Sequence, residues 1–185
     1  MAKDKLITAA QLKKSLLGKT ESELSELILD VAKNCPQAKE YLTIKFSARE
    51  TAIEILEKYK TKVEHEFYPK RGFGRLNLRE AKKAISDFRK ICPDKIMEID
   101  IMLFYVENCV EFTNDYGDIG ETFYNSAASV FASAVKEINS CDKAVYDNFA
   151  DRIEAITTNA IDGWGFKDEL RNCPKIIFTN DYKLI

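Results

Sequence analysis

Apolar residues recur along this chain at the three- and four-residue spacings of amphipathic helices, and turn-forming residues separate the recurring segments. Gly18, Pro36, Pro69 and Pro93 mark four of the breaks, because glycine and proline commonly end helices. The pattern predicts helical segments at 9–17, 20–35, 36–46, 47–67, 78–91, 94–116, 121–139 and 143–160, followed by a short segment that ends at Pro174.

Local signals indicate where several of these helices begin. Thr20 with Glu23, and Ser47 with Glu50, have the spacing of a capping box, in which the hydroxyl and the carboxylate each accept a backbone N–H. Asn77 is a further N-cap residue. Behind the first box, four apolar residues share one helix face that we expect to be buried, namely Leu24, Leu27, Ile28 and Val31.

The stretch 96–131 combines the most apolar helix with a dense acidic and aromatic cluster. Its helix is apolar almost all round, which is typical of a helix enclosed by neighbours, and it is predicted to stop at Tyr116-Gly117-Asp118. We therefore expect an all-α protein, a single compact helical bundle or short superhelical stack of about seven or eight helices. Residues 1–174 are interpreted as one domain, and the tail 175–185 is left open between a strand, a helical turn and disorder.

Composition narrows the class of protein. The 185 residues are 45% hydrophobic and 31% charged, with a formal net charge of −2, which favours a globular protein and argues against a chain that binds nucleic acid or a membrane over its whole surface. The five cysteines form no CxxC pair, so free thiols in the cytoplasm are expected rather than a zinc site or disulfides. No apolar run approaches the length that crosses a bilayer, and we expect no membrane association.

Three stretches carry a family resemblance: Phe67-Tyr68-Pro69-Lys70-Arg71-Gly72 with residues 81–85, residues 112–119 with Phe123-Tyr124-Asn125-Ser126, and Gly163-Trp164-Gly165-Phe166. Through them the chain resembles, over nearly its whole length, a mainly bacterial family, domain of unknown function 6155. The resemblance implies a compact helical protein. It brings no assigned activity, cofactor or catalytic residue.

Charge is polarised along the middle of the chain. Residues 58–90 contain eleven basic and four acidic residues, whereas residues 94–125 contain eight acidic residues and one lysine. One interpretation is that the two segments neutralise each other across a helix pair. The other is an anion or nucleic-acid site on the basic loop, where glycine N–H groups and arginine side chains suit phosphate; its candidate residues are Lys70, Arg71, Arg75, Lys82 and Lys83.

The acidic segment offers a second candidate site. Glu107, Glu111, Asn114 and Asp118 share one helix face if the helix continues that far, and such carboxylates suit a divalent cation or an acid and base pair. The Glu-x-x-His spacing of bundle metal sites is absent, and the lone His65 has no evident partner. We therefore predict no metal and no cofactor. The full candidate seam is Glu107, Glu111, Asp115, Tyr116, Asp118, Tyr124 and Trp164, whose aromatic residues are interpreted either as core or as the wall of a groove.

These observations favour a non-enzymatic binding or scaffolding module with a protein partner of unknown identity. The alternative is a helical protein that binds nucleic acid or phosphate through residues 70–75. A carboxylate- or metal-dependent enzyme is the third interpretation.

Overall fold

A computed structural model describes residues 6–70 and 76–173, with the side chain of Trp164 excepted. Within these ranges the chain is all-α, as the sequence predicts, with nine α-helices, one 3₁₀ turn and no strand. The helices are α1 (Ala9–Leu16), α2 (Glu21–Asn34), α3 (Pro36–Phe46), α4 (Arg49–Phe67), α5 (Leu78–Ile91), α6 (Lys95–Tyr116), α7 (Glu121–Asn139), α8 (Lys143–Asn159) and α9 (Phe166–Asn172), and the 3₁₀ turn is Gly163–Gly165. Residues 71–75 of the predicted basic loop and the tail 175–185 lie outside the described residues.

Helix α6 is the centre of the fold. Twelve of its 22 residues are buried, and it packs against α4, α5, α7 and α8, which is the arrangement of a bundle around an enclosed helix. Asp94 caps its start by accepting the N–H of Ile96 at 2.8 Å. Gly117 ends it with a φ of 83°, a backbone conformation that side-chain-bearing residues rarely adopt.

The core beside α6 is aromatic. Phe67 at the end of α4 contacts Tyr105, Phe112 and Phe123, with ring centroids 5.7, 6.0 and 6.4 Å apart, in the edge-to-face geometry that aromatic pairs prefer. The buried hydroxyl of Tyr105 lies 2.9 Å from that of Ser126 on α7. The small residues of α7 allow this close approach of the two helices.

Two sequence predictions about the first half of the chain are wrong. Ser47 forms no capping box with Glu50, because α3 continues to Phe46 and Ser47 ends it, leaving Ala48 to start α4 without a side-chain cap. The apolar stripe of α2 is not buried either, since none of α1, α2 and α3 contains a buried residue. Helix α2 packs on α3, and α3 packs on α4 and α5, so these helices extend from the bundle instead of entering its core.

Candidate binding surfaces

Large apolar side chains are exposed mainly on the first helices. Of the thirteen exposed large hydrophobic residues in the described chain, eleven lie between Leu6 and Ile53. We define the N-terminal apolar surface by the six of them that lie on α1, on the turn after it and on α2, namely Leu12, Leu17, Leu27, Ile28, Leu29 and Val31. Leu17 and Leu29 are 72% and 69% exposed. Leu27, Ile28 and Val31 share one side of α2, and Leu29 is exposed on another side of the same helix.

Local hydrogen bonds specify these helices without help from a core. Thr8 and Gln11 form a capping box at the start of α1, and Thr20 and Glu23 form the predicted box at the start of α2. The Thr20 N–H donates to Glu23 Oε2 over 2.7 Å, and this bond is the main cause that lowers the pKa of Glu23. The caps therefore determine where these two helices begin, while none of their side chains is buried within the described part of the chain.

Glu40 on α3 joins the N-terminal helices to the bundle. Its carboxylate accepts hydrogen bonds from Lys58 and from the Tyr59 hydroxyl, the latter at 2.7 Å. Burial alone would raise the pKa of Glu40, but these two hydrogen bonds together with the positive charges of Lys58 and Lys62 outweigh it, and the pKa lies below its ordinary value. Ile44 packs against the core from the same helix. This contact fixes α3 on α4 and α5.

The basic candidate residues are dispersed. Lys70 is exposed at the end of α4, while Arg71 and Arg75 lie outside the described residues. Lys83 pairs with Glu80 on its own helix at 3.6 Å. Lys82 lines a groove of about 450 Å³ between α5, α6 and α7, together with Arg89, Lys90, Lys95, Ser129 and Ser133. The groove adds basic and hydroxyl groups to the candidate set.

Carboxylates already neutralise part of that groove. Arg89 contacts Glu137 at 2.7 Å and Glu98 at 3.5 Å. Lys95 contacts the same two carboxylates at 2.9 and 3.0 Å. Because Arg89 belongs to the basic segment and Glu98 to the acidic one, neutralisation between the two segments is confirmed for this pair.

Arg152 on α8 neutralises the acidic face of α6. Its guanidinium donates to Glu107 Oε1 and Oε2 over 2.7 and 2.8 Å and to Asp100 Oδ1 over 2.6 Å. Lys60 on α4 contacts the other oxygen of Asp100 at 2.9 Å. Glu107 is therefore part of an ion network that ties α6 to α8, and bidentate contacts of this kind are the strongest between arginine and carboxylate.

Asp118 does not share a helix face with Glu107, because the helix does not continue far enough to include it. Helix α6 ends at Tyr116, and Asp118 instead accepts a hydrogen bond from the Tyr124 hydroxyl at 2.8 Å. A side chain at Gly163 would lie 3.1 Å from that hydroxyl, so the bond sits in a tightly packed junction. Glu111 and Asn114 remain on the α6 face with Glu107, in a groove of about 360 Å³ against α8.

The remaining seam residues divide between surface and core. The Tyr68 hydroxyl donates to Asp115 over 2.9 Å, and burial followed by this hydrogen bond raises the pKa of Tyr68. Tyr116 is 58% exposed and stacks on Phe112 with centroids 4.6 Å apart. Tyr124 is buried against Phe166. The side chain of Trp164 lies outside the described residues. Hence Asp115 and Tyr116 form a half-exposed patch with Tyr68, and Tyr124 belongs to the core.

In residues 6–70 and 76–173, no group of three or more His, Cys, Asp and Glu side chains is placed to hold a metal ion. His65 lines a shallow groove of about 430 Å³ between α4 and α5. None of the helices in this part of the chain combines the length and hydrophobicity needed to span a bilayer.

Sequence reasoning did not predict that most of the apolar residues of α1 and α2 are exposed. Their apolar residues were visible in the sequence, but the periodic pattern indicates only that a face is suited to burial and not which partner covers it. It also missed Arg152, because its carboxylate partners are 45 and 52 residues away in the chain. No local spacing connects residues at that distance.

Comparison with known proteins agrees with the resemblance found in the motifs. A family model described as "Family of unknown function (DUF6155)" matches residues 7–176, and the chain belongs to this family. No curated protein and no solved structure matches the chain.

Proposed function

We propose that this member of the family is a non-enzymatic binding or scaffolding module that holds a protein partner on its N-terminal apolar surface. One observation carries the proposal: α1 and α2 form well-capped helices, and α1, α2 and α3 contain no buried residue. Large exposed apolar patches on a folded protein commonly mark sites of protein association.

The charged neighbours of this surface support the proposal. Lys13, Lys14, Glu26 and Asp30 lie among its apolar residues in sequence and are exposed. Protein interfaces combine an apolar centre with a polar rim, and this surface has both components. Burying a fully exposed Leu, Ile or Val side chain contributes about 1.5–3 kcal/mol, so covering several partly exposed ones favours association.

Site-specific photo-crosslinking in the source cells tests the proposal. A benzoylphenylalanine at position 28, on the side of α2 that carries Leu27 and Val31, should yield a protein adduct, and the same group at position 154, an exposed site on α8, should not. Adding Leu27→Asp, which places a charge within the surface, should remove the adduct at position 28. Equal adducts at both positions, or none at position 28, would contradict the proposal.

The thiols support a reducing compartment such as the bacterial cytoplasm for this function. All five cysteines are free, and Cys92 and Cys109 are buried. Burial raises the pKa of Cys92 to about 11 and also raises that of Cys109, which keeps both thiols protonated and unreactive at neutral pH. Thiol titration of the denatured protein, purified without reductant under anaerobic conditions, should find five free thiols.

Anion binding is the second candidate function, favoured by the groove that Lys82 shares with Lys90 and the hydroxyls of Ser129 and Ser133. A single-stranded oligonucleotide should bind weakly and with strong salt dependence. The double variant of Lys82→Ala with Lys90→Ala should abolish the binding, whereas Lys143→Ala on α8 should not change it. Absence of binding at low salt would remove this candidate.

A further inference from the structure

The two helices that form the N-terminal apolar surface carry opposite charges. Helix α1 contains Lys13 and Lys14 and no acidic residue. Helix α2 contains one lysine, Lys33, and four carboxylates, on Glu21, Glu23, Glu26 and Asp30. One continuous segment therefore presents a basic half and an acidic half beside exposed leucine and isoleucine side chains.

Most of these charges have no counter-charge within the described part of the chain. Lys19, in the turn between the helices, contacts Glu23 at 3.4 Å. In residues 6–70 and 76–173, Lys13, Lys14 and Glu26 form no ion pair. The segment is complementary in sign to itself, and apart from the Lys19–Glu23 contact the described residues do not use that complementarity within one copy.

The segment also lacks the burial that helices of its length require. Helices α1 and α2 are 8 and 14 residues long, and isolated helices shorter than about 12–15 residues are marginal in water. Most helical stability in proteins comes from packing of an apolar face. A second surface laid on these helices supplies that packing.

Resting on the proposed function, we propose that the occupant of the N-terminal apolar surface is the same surface of a second copy of this chain. In this dimer α1 of each copy lies along α2 of the other. Lys13 and Lys14 then face Glu26 and Asp30 of the second copy, and two-fold symmetry forms the contact twice.

Other occupants match the charge pattern less well. An anionic membrane would attract α1 but repel α2, which has four acidic residues and one basic residue. An acidic protein would match only α1, and a basic protein only α2. A copy of the same segment in the opposite direction matches both helices at once.

Sedimentation equilibrium of the purified full-length chain tests the proposal. Over about 0.1–100 µM, a range that brackets a micromolar dissociation constant, the mass should rise from 21.2 kDa to twice that value. Leu27→Asp combined with Val31→Asp should weaken the dimer about 30-fold or more. The control Ile119→Asp, at an exposed apolar residue outside this surface, should leave the dissociation constant unchanged.

Reversing the charges on one helix at a time tests whether α1 of one copy lies along α2 of the other. The double variant K13E/K14E and the double variant E26K/D30K should each dimerise about 10-fold more weakly, because each places like charges opposite one another. Mixing the two should restore association as a heterodimer. Circular dichroism checks that both variants keep their helices. Failure of the mixture to associate overturns the arrangement, and so does dimerisation that neither variant weakens.

The outcomes separate this proposal from the proposed function. A wild-type chain that stays monomeric throughout the range, or a dimer that survives the aspartate substitutions, overturns the second copy as occupant. If position 28 then crosslinks to a different protein in cells, the binding function still stands. If it crosslinks to nothing, both proposals fail.

Discussion

Helices α1–α3 and helices α4–α9 arise from the same local signals but differ in where their apolar side chains lie. Thr20 caps α2 and Asp94 caps α6 in the same way, through a side-chain oxygen that accepts backbone N–H groups. Yet α6 buries twelve residues and α2 buries none. Capping and periodicity therefore determine that a helix forms, and tertiary packing alone determines whether its apolar face is covered.

The difference between the two regions is also a difference in stabilisation. The bundle of α4–α9 gains its free energy of folding from buried side chains such as Phe88, Leu103 and Phe131. The N-terminal helices are attached mainly through α3 and the bonds to Glu40. They are therefore the region that a bound partner would stabilise most.

The largest difference in stability between the two regions should come from a pair of truncations to alanine. Phe67→Ala, in the aromatic core, should lower the free energy of unfolding by about 3–5 kcal/mol. Leu29→Ala, on the N-terminal apolar surface, should change it by less than about 0.5 kcal/mol, when urea denaturation is measured at a concentration where the chain is monomeric. Comparable losses from both would mean that α2 belongs to the core.

A smaller effect should come from the ion network inside the bundle. Arg152→Met leaves Glu107 without its bidentate partner and should cost about 1–3 kcal/mol, while Lys60 continues to pair with Asp100. Lys143→Met, which breaks an exposed pair with Asp147 on the same helix, should cost less than about 1 kcal/mol. Thermal denaturation of the two variants shows which one loses more stability. Equal losses would show that the partly buried ion pairs of Arg152 stabilise the protein no more than the exposed pair of Lys143.

The smallest expected change in the free energy of unfolding is at Glu40, which joins α3 to the bundle, and this change depends on pH. Because the pKa of Glu40 is lowered in the folded protein, its contribution to stability is present above the ordinary Glu pKa of about 4.3. That contribution is lost as the pH falls through the lower folded-state value. Glu40→Gln should therefore be less stable than the wild type by about 0.5–1.5 kcal/mol at pH 7, and the gap should close in acid.

Denaturant unfolding at a series of pH values measures that gap. Tyr59→Phe keeps the buried ring but removes one of the two hydrogen bonds to Glu40, so it should show a reduced version of the same pH dependence. A gap that stays constant from neutral to acidic pH would show that the Glu40 carboxylate does not hold α3 on the bundle.

Much of the fold was predictable because its determinants are local. Pro36 and Pro93 interrupt the chain where helices change, and the predicted ranges of α3, α5 and α7 agree with the structure. The predicted box at Ser47 fails because two overlapping signals compete there, and the end of α3 occupies the residue that would cap α4.

Less of the candidate site was predictable, because it depends on contacts between distant segments. The predicted seam separates into Glu107 with Arg152, Asp115 with Tyr68, and Asp118 with Tyr124. Gly117 ends α6 and turns Asp118 away from the helix face. The interpretation of Arg71 and Arg75 as an anion site remains a prediction, since both lie outside the described residues.

The helices that attach α2 to the bundle through α3 are synthesised after α2 itself. Residues 9–46 leave the ribosome before α4 and α5, the helices on which α3 packs. Translation proceeds at about 5–20 residues per second. Several seconds therefore pass between the synthesis of Phe46, at the end of α3, and the synthesis of Ile91, at the end of α5. During that interval their leucines and isoleucines are accessible to nascent chains of the same protein on neighbouring ribosomes.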